Sequence, residues 1–105
     1  MLKFETINSL NKNIYRRSFI QWMNKEYPNI QRPNIMFSNI MLSINNSIGF
    51  SINDLILKRI SLEDYYKKYI DYFTVINRRS PIGHASVHKN NAKYFLEFVK
   101  ENYII

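Results

Sequence analysis

Glycine and proline are scarce in this chain, and their scarcity restricts the possible folds more than any other feature does. Only two glycines and three prolines occur among its 105 residues. A β-sandwich needs a turn at roughly every 8–12 residues, and turns draw heavily on glycine, proline and small polar residues. Apolar residues recur instead at spacings of three and four, which is the period of an amphipathic helix. The sequence therefore predicts an all-α fold.

Start and stop signals divide this pattern into a compact bundle of four main helices plus one short helix. Pro28 ends the first helix and Pro33 opens the second. Ser51 and Ser61 each precede an aspartate by three residues, as in a capping box, and Ser80 precedes Pro81 at the start of the last helix. The predicted helices run from about 9 to 26, 33 to 47, 51 to 57, 62 to 76 and from 81 or a few residues later.

Two of these helices have apolar sides that identify a candidate core. On the first, Leu10 and Ile14 extend the apolar side beyond a stripe that includes Trp22, a residue more typical of a core than of a binding surface. The stripe on the last helix is broad enough to pack on two neighbours. The two stripes comprise Tyr15, Phe19, Trp22 and Met23, and Ala85, His88, Ala92, Phe95, Val99 and Tyr103.

Length and composition place the chain among globular proteins. At 105 residues and 12.7 kDa we expect a single helical domain over 1–105. There is no cysteine, so neither a disulfide nor a thiolate metal site is available. The sequence has no apolar run approaching ~18 residues and no secretory signal at Met1. We expect a cytoplasmic protein with no membrane partner.

The charge balance is strongly basic. Lysine and arginine number 15 against 8 acidic residues, giving a formal charge of +7 and a pI near 9.7. A basic domain is typical of nucleic-acid binding, because neutralisation of phosphates supplies most nonspecific affinity. The abundant Asn, Ile, Lys and Tyr are also what A/T-rich codons encode, so a basic composition that only keeps the protein soluble remains an alternative.

Signals for catalysis or metal binding are poor. His84 and His88 have the i,i+4 spacing of zinc-binding helices, but no third histidine exists, and ligands would have to come from Glu97 or Asp71. We favour a core position for His88 and a surface position for His84. No glycine-rich phosphate loop is present. The sequence predicts no enzyme, no cofactor and no metal site.

Basic residues near the last helix are the best functional lead. Arg78 and Arg79 precede Ser80 at a helix N-terminus, where two guanidinium groups, a hydroxyl and backbone N–H groups could converge on one phosphate. Lys89 and Lys93 follow at i,i+4 on the same helix, where they could track a DNA backbone. The alternative is an ordinary solvated helix face.

A second basic lobe is predicted on the first helix, where Arg16 and Arg17 lie near Trp22. A tyrosine cluster on the fourth helix could stack bases, although its helical spacing favours packing. This cluster consists of Tyr65, Tyr66, Tyr69 and Tyr72.

Short motifs in the C-terminal half carry a resemblance to a known family. They are the helix start around Ser61, the Arg79-Ser80-Pro81 sequence and the aromatic-rich segment 92–99. Over about residues 60–99 the chain resembles the core-binding (SAM-like) domain of phage-type tyrosine recombinases. The resemblance implies a four- or five-helix domain that clamps one face of duplex DNA through basic helix surfaces. The matching basic positions are Arg78, Arg79, Lys89 and Lys93.

The family's catalytic domain needs far more chain than follows Val99, so we expect no recombination by this chain itself. The first hypothesis is a small non-catalytic protein of phage or mobile-element origin that contacts the backbone of duplex DNA.

The alternative hypothesis is a phage-type interaction module or inhibitor that binds a larger host enzyme such as a defence nuclease. It rests on the charge-poor second helix, whose two-sided apolar character suggests an interface. Homodimerisation through residues 33–48 is compatible with either hypothesis. Basic pairs gathered on one face favour DNA, whereas scattered pairs favour a protein partner.

Overall fold

The structure is a computed structural model that describes residues 2–44, 48–76 and 79–105. Within these ranges it is a compact bundle of five α-helices with one small parallel strand pair, which confirms the all-α class and the predicted four main helices plus a short one. A 3₁₀ turn, Met41–Ser43, follows the second helix. The elements are β1 (Leu2–Lys3), α1 (Lys12–Glu26), α2 (Pro33–Ile40), α3 (Ile52–Ile56), α4 (Leu62–Val75), α5 (Pro81–Asn102) and β2 (Tyr103–Ile104).

The first helix begins at Lys12, three residues later than predicted. The side-chain oxygen of Asn8 accepts hydrogen bonds from the backbone N–H groups of Leu10 (2.8 Å) and Asn11 (3.2 Å), which holds this segment in a turn. Leu10 is 91% exposed and Ile14 is 64% exposed, so the prediction that they extend the apolar side is wrong. Leu10 lies outside the helix, and Ile14 lies about a third of a turn from the buried stripe.

Regular helix in α2 ends at Ile40, well before the predicted end at 47, although residues 45–47 of that prediction lie outside the described residues. The chain tightens into the 3₁₀ turn, in which the N–H of Ile44 donates to the carbonyl of Met41 at 3.0 Å. The buried Ser43 hydroxyl accepts a hydrogen bond from the N–H of Ile52 (2.9 Å). This bond joins the turn to the start of α3.

The predicted homodimer contact through residues 33–48 stays a prediction. Within the described part of this segment, Phe37 and Ile40 are fully buried in the chain's own core. Ile35 and Leu42 remain nearly half exposed.

The predicted start signals of α3 and α4 are confirmed. The N–H of Ser51 donates to Asp54 at 2.9 Å as part of a capping box. At α4, the Ser61 hydroxyl accepts from the N–H of Asp64 at 3.1 Å. Each bond satisfies an N–H group that the first helical turn would otherwise leave unpaired.

The core surrounds α5, which packs on neighbours to two sides. On one side, Phe95 meets Phe19 of α1 and Phe37 of α2 at centroid distances of 5.4 and 6.0 Å. On the other, His88 stacks on Tyr69 of α4 at 4.4 Å. The predicted stripe on α5 is therefore confirmed as core from Ala85 to Val99, and so is the burial of Trp22. Tyr103, the last residue of the predicted stripe, lies in β2 and is half-buried. No helix in the described ranges is long and apolar enough to cross a membrane.

The strand pair joins the two ends of the described chain and was not predicted. Leu2 aligns with Tyr103 in parallel register, and the N–H of Phe4 donates to the carbonyl of Ile104 at 2.8 Å. The Asn53 side chain binds both the N–H and the carbonyl of Ile7, at 2.9 and 3.0 Å. The N-terminal segment is thus held against both α3 and the end of α5.

Candidate nucleic-acid interface

The outer face of α5 presents polar and basic side chains to solvent, together with the exposed apolar side chains of Ile82 and Val87. Because a helix repeats every 3.6 residues, burial of the core stripe turns Ser86, Asn90 and Lys93 outward. Asn90 and Lys93 are exposed and Ser86 is half-buried. Residues 79–96 contain no aspartate or glutamate. This part of α5 therefore has hydrogen-bonding groups and positive charge. The next residue, Glu97, brings a carboxylate to the concavity that Asn90 and Lys93 also line.

Lys89 lies at the edge of this face, beside α4. Its ammonium group is 3.4 Å from the Glu63 carboxylate and 5.0 Å from the centre of the Tyr66 ring. The Lys89 side chain is 29% exposed and that of Glu63 is 71% exposed. Such an exposed pair stabilises a protein by little, typically under about 1 kcal/mol, so Lys89 can exchange its partner at small cost.

Lys93 is exposed and forms no ion pair with the described residues. The nearest carboxylate along the helix is Glu97, one turn later. Both oxygens of Glu97 lie within hydrogen-bond distance of the Tyr27 hydroxyl, at 2.7 and 2.9 Å. This hydrogen bond raises the pKa of Tyr27 to about 12. Glu97 is thereby engaged with the segment that follows α1.

Arg79 is exposed just before α5, while Arg78 lies outside the described residues. Ser80 and Pro81 occupy the N-cap and first helical positions as predicted. The Ser80 side chain makes no capping hydrogen bond. The Ser80 hydroxyl therefore accepts no hydrogen bond from the backbone N–H groups of the first turn, which leaves them able to donate to an anion.

Arg16 and Arg17 lie elsewhere, on α1. The Arg16 guanidinium packs 4.8 Å from the centre of the Phe37 ring and donates to the Asn34 carbonyl and the Ser38 hydroxyl, each at 3.2 Å. These contacts join α1 to α2, and Arg17 beside it is exposed. Arg79, Lys89 and Lys93 thus belong to α5 and the residue leading into it, whereas Arg16 occupies the junction of α1 and α2 and Arg59 pairs with Asp54 beside α3. The basic pairs therefore lie on separate elements, which by the criterion stated for the sequence counts toward a protein partner, so the case for DNA depends on α5 alone.

Positive charge across the described part of the chain is largely uncompensated. Two ion pairs are present there, Lys89 with Glu63 and Arg59 with Asp54 at 3.2 Å. The other described lysines and arginines have no carboxylate within ion-pair distance. The excess charge is consequently available to an external anion.

The two histidines do not form a metal centre with the described residues. His88 is buried against Tyr69, and the exposed His84 lies 5.2 Å from Phe73 between ring centres. In the ranges that the structure covers, no three histidine, aspartate or glutamate side chains gather closely enough to hold a metal ion.

The four tyrosines of the α4 cluster differ in burial. Tyr65 and Tyr69 are fully buried, whereas Tyr66 and Tyr72 are half-buried.

Sequence reasoning found Lys89 and Lys93 but missed Ser86 and Asn90. The available signal was their spacing, since 86, 90 and 93 follow one another at intervals of four and three.

Comparison of the chain with protein-family models, curated proteins and solved structures found no match. The resemblance to a recombinase core-binding domain stays a prediction.

Proposed function

We propose that this chain is a non-catalytic DNA-binding domain that contacts the backbone of duplex DNA through the outer face of α5. The observation that carries the proposal is the outward face of α5, on which Asn90 and Lys93 are exposed and Ser86 and Lys89 are half-buried, within residues 79–96, which include no aspartate or glutamate. The proposal includes the predicted relation to phage-type recombinase core-binding domains, a phage or mobile-element origin and a cytoplasmic location.

The chemistry of this face suits a nucleic acid. Lysine ammonium groups neutralise phosphates, and serine and asparagine add hydrogen bonds to phosphate oxygens. Asparagine can also form two hydrogen bonds to an adenine edge. An α-helix fits the major groove, and the 22 residues of α5 span roughly 33 Å.

Arg79 extends the proposed contact to the N-terminal end of α5. A phosphate placed there would meet its guanidinium group and the backbone N–H groups of the first turn. Arg17 is a candidate for a separate backbone contact, because its side chain is exposed on α1. Arg16 already binds α2, so we expect its replacement to affect stability more than DNA affinity.

Charge reversal at Lys93 tests the proposed face. We expect Lys93→Glu to weaken binding to a 20-base-pair random duplex by at least about tenfold, because it replaces a phosphate contact with a repulsion; tenfold corresponds to about 1.4 kcal/mol. Lys25→Glu is the matched control, since Lys25 is exposed on α1 and gives the same change in net charge. Fluorescence anisotropy at fixed salt measures both. Equal losses in the two variants would show that affinity follows net charge alone and that α5 is not the contact face.

A further inference from the structure

A second surface lies between the end of α3, the start of α4 and the C-terminal part of α5. It is an open groove of about 680 Å³. The buried side chains of Leu55 and Ile56 form its floor, and the half-buried side chains of Ile60, Leu62 and Leu96 line it. A groove of this volume, lined mainly by aliphatic side chains, is within the size range of ligand sites in proteins.

Basic side chains surround this apolar floor. Lys58, Arg59 and Lys100 line the groove together with one carboxylate, that of Asp64. Arg59 binds Asp54, yet its side chain remains 64% exposed. The lining therefore combines aliphatic side chains with three cations, of which Lys58 and Lys100 form no ion pair with the described residues, and this combination is complementary to an apolar group that carries negative charge.

The backbone places one of these cations at a conformational cost. Lys58 has a φ of 60°, in the left-handed region that side chains with a Cβ rarely adopt. The N–H of Arg59 donates to the carbonyl of Asp54 at 2.8 Å, and that of Lys58 to the carbonyl of Leu55 at 3.2 Å. These two bonds form a Schellman motif, in which glycine usually occupies the left-handed position. A lysine there keeps a positive charge at the groove.

We propose that this groove docks a short acidic segment of a partner protein, whose large apolar side chains enter the groove while its carboxylates meet Lys58, Arg59 and Lys100. Duplex DNA is a poorer occupant because its exposed backbone offers no aliphatic groups to cover Leu62 and Leu96. A second copy of the chain is disfavoured because each copy carries a net charge of +7. The proposal is independent of DNA binding, which is assigned to residues nearer the start of α5.

The probe is a fluorescein-labelled 15-residue acidic peptide with leucines at helix positions i, i+4 and i+7 and glutamates beside them. Its control has the same composition with the leucines dispersed around the helix. Anisotropy against the full chain measures affinity, and amide chemical shifts in ¹⁵N spectra locate the contact. We expect the leucine-faced peptide to bind at least tenfold more tightly, with shifts centred on Leu62, Leu96 and Lys100.

Matched double variants separate the groove from general electrostatics. We expect Lys58→Glu with Lys100→Glu to weaken peptide binding at least tenfold. Lys12→Glu with Lys25→Glu changes net charge equally on α1 and should leave peptide binding within about twofold. If the Lys58→Glu, Lys100→Glu double variant has a lower melting temperature than the original chain, Lys100→Glu alone replaces it in the test, because Lys100 is at an exposed helix position.

Three results would overturn the proposal: equal binding of the two peptides, equal losses in the two double variants, or shifts centred on Ser86, Asn90 and Lys93. Shifts in the groove produced by duplex DNA and absent with the peptide would assign the groove to nucleic acid instead. Each variant is also titrated with duplex DNA. Loss of DNA affinity in Lys93→Glu with peptide binding retained would show that the two surfaces act separately.

Discussion

His88 shows how far the fold changes the chemistry of a single residue. Its ring is stacked on that of Tyr69 at an interplanar angle of 8°, and the residue is 8% exposed. Burial lowers the pKa of His88 from 6.5 to about 4, with the Asn39 backbone opposing this shift and the charge of His84 adding to it. At neutral pH, His88 is therefore an uncharged aromatic core residue, in agreement with the position expected from its spacing.

This lowered pKa predicts a loss of stability in acid. Above pH 6.5 His88 is neutral in both the folded and unfolded states. Between pH 6.5 and about 4 the unfolded chain binds a proton that the folded chain does not, so the free energy of unfolding falls, by on the order of 3 kcal/mol across the window. Urea unfolding at several pH values measures this, and His88→Gln should show a shallower pH dependence. If His88→Gln keeps the pH dependence of the original chain, or if His84→Gln shows an equally shallow one, the loss of stability in acid does not come from His88.

At the scale of elements, local signals predicted helix starts better than helix ends. Ser51 and Ser61 cap the helices they were expected to cap, because these bonds form within one turn of chain. The turn that follows α2 is joined to α3 by a hydrogen bond from the Ile52 N–H to Ser43, nine residues away, a contact that no local pattern encodes. The strand pair was not predictable, since two residues per strand give no periodicity and their pairing depends on the whole fold.

The connection from α3 to α4 supplies a stability prediction. Replacing Lys58 by glycine removes the steric cost of the left-handed conformation and should raise the free energy of unfolding by about 1 kcal/mol. Lys58→Ala removes the same charge but keeps the Cβ, so it should give no such gain. Thermal unfolding of the two variants measures the difference. A melting temperature for Lys58→Gly equal to or below that of Lys58→Ala would contradict the proposed conformational cost.

At the scale of the whole molecule, the sequence showed which residues carry charge but did not predict which of them contact other side chains of the folded chain. Lys89 and Lys93 were recognised from their i,i+4 spacing. The stacking of Arg16 on Phe37 and the pairing of Lys89 with Glu63 involve residues 21 and 26 positions apart in the chain, beyond the reach of a periodic pattern. The groove likewise brings together three elements, so only the folded chain reveals it.

The dependence of duplex affinity on salt tests the central claim most directly. Affinity of the full chain for a random 20-base-pair duplex is measured by fluorescence anisotropy from about 50 to 200 mM salt. Contacts by Arg79, Lys89, Lys93 and one further cation predict that the logarithm of the binding constant falls with the logarithm of salt concentration with a slope of about −3 to −4, since each neutralised phosphate contributes about −0.9. Negligible binding that does not change with salt across this range would contradict the assignment of DNA binding to this chain.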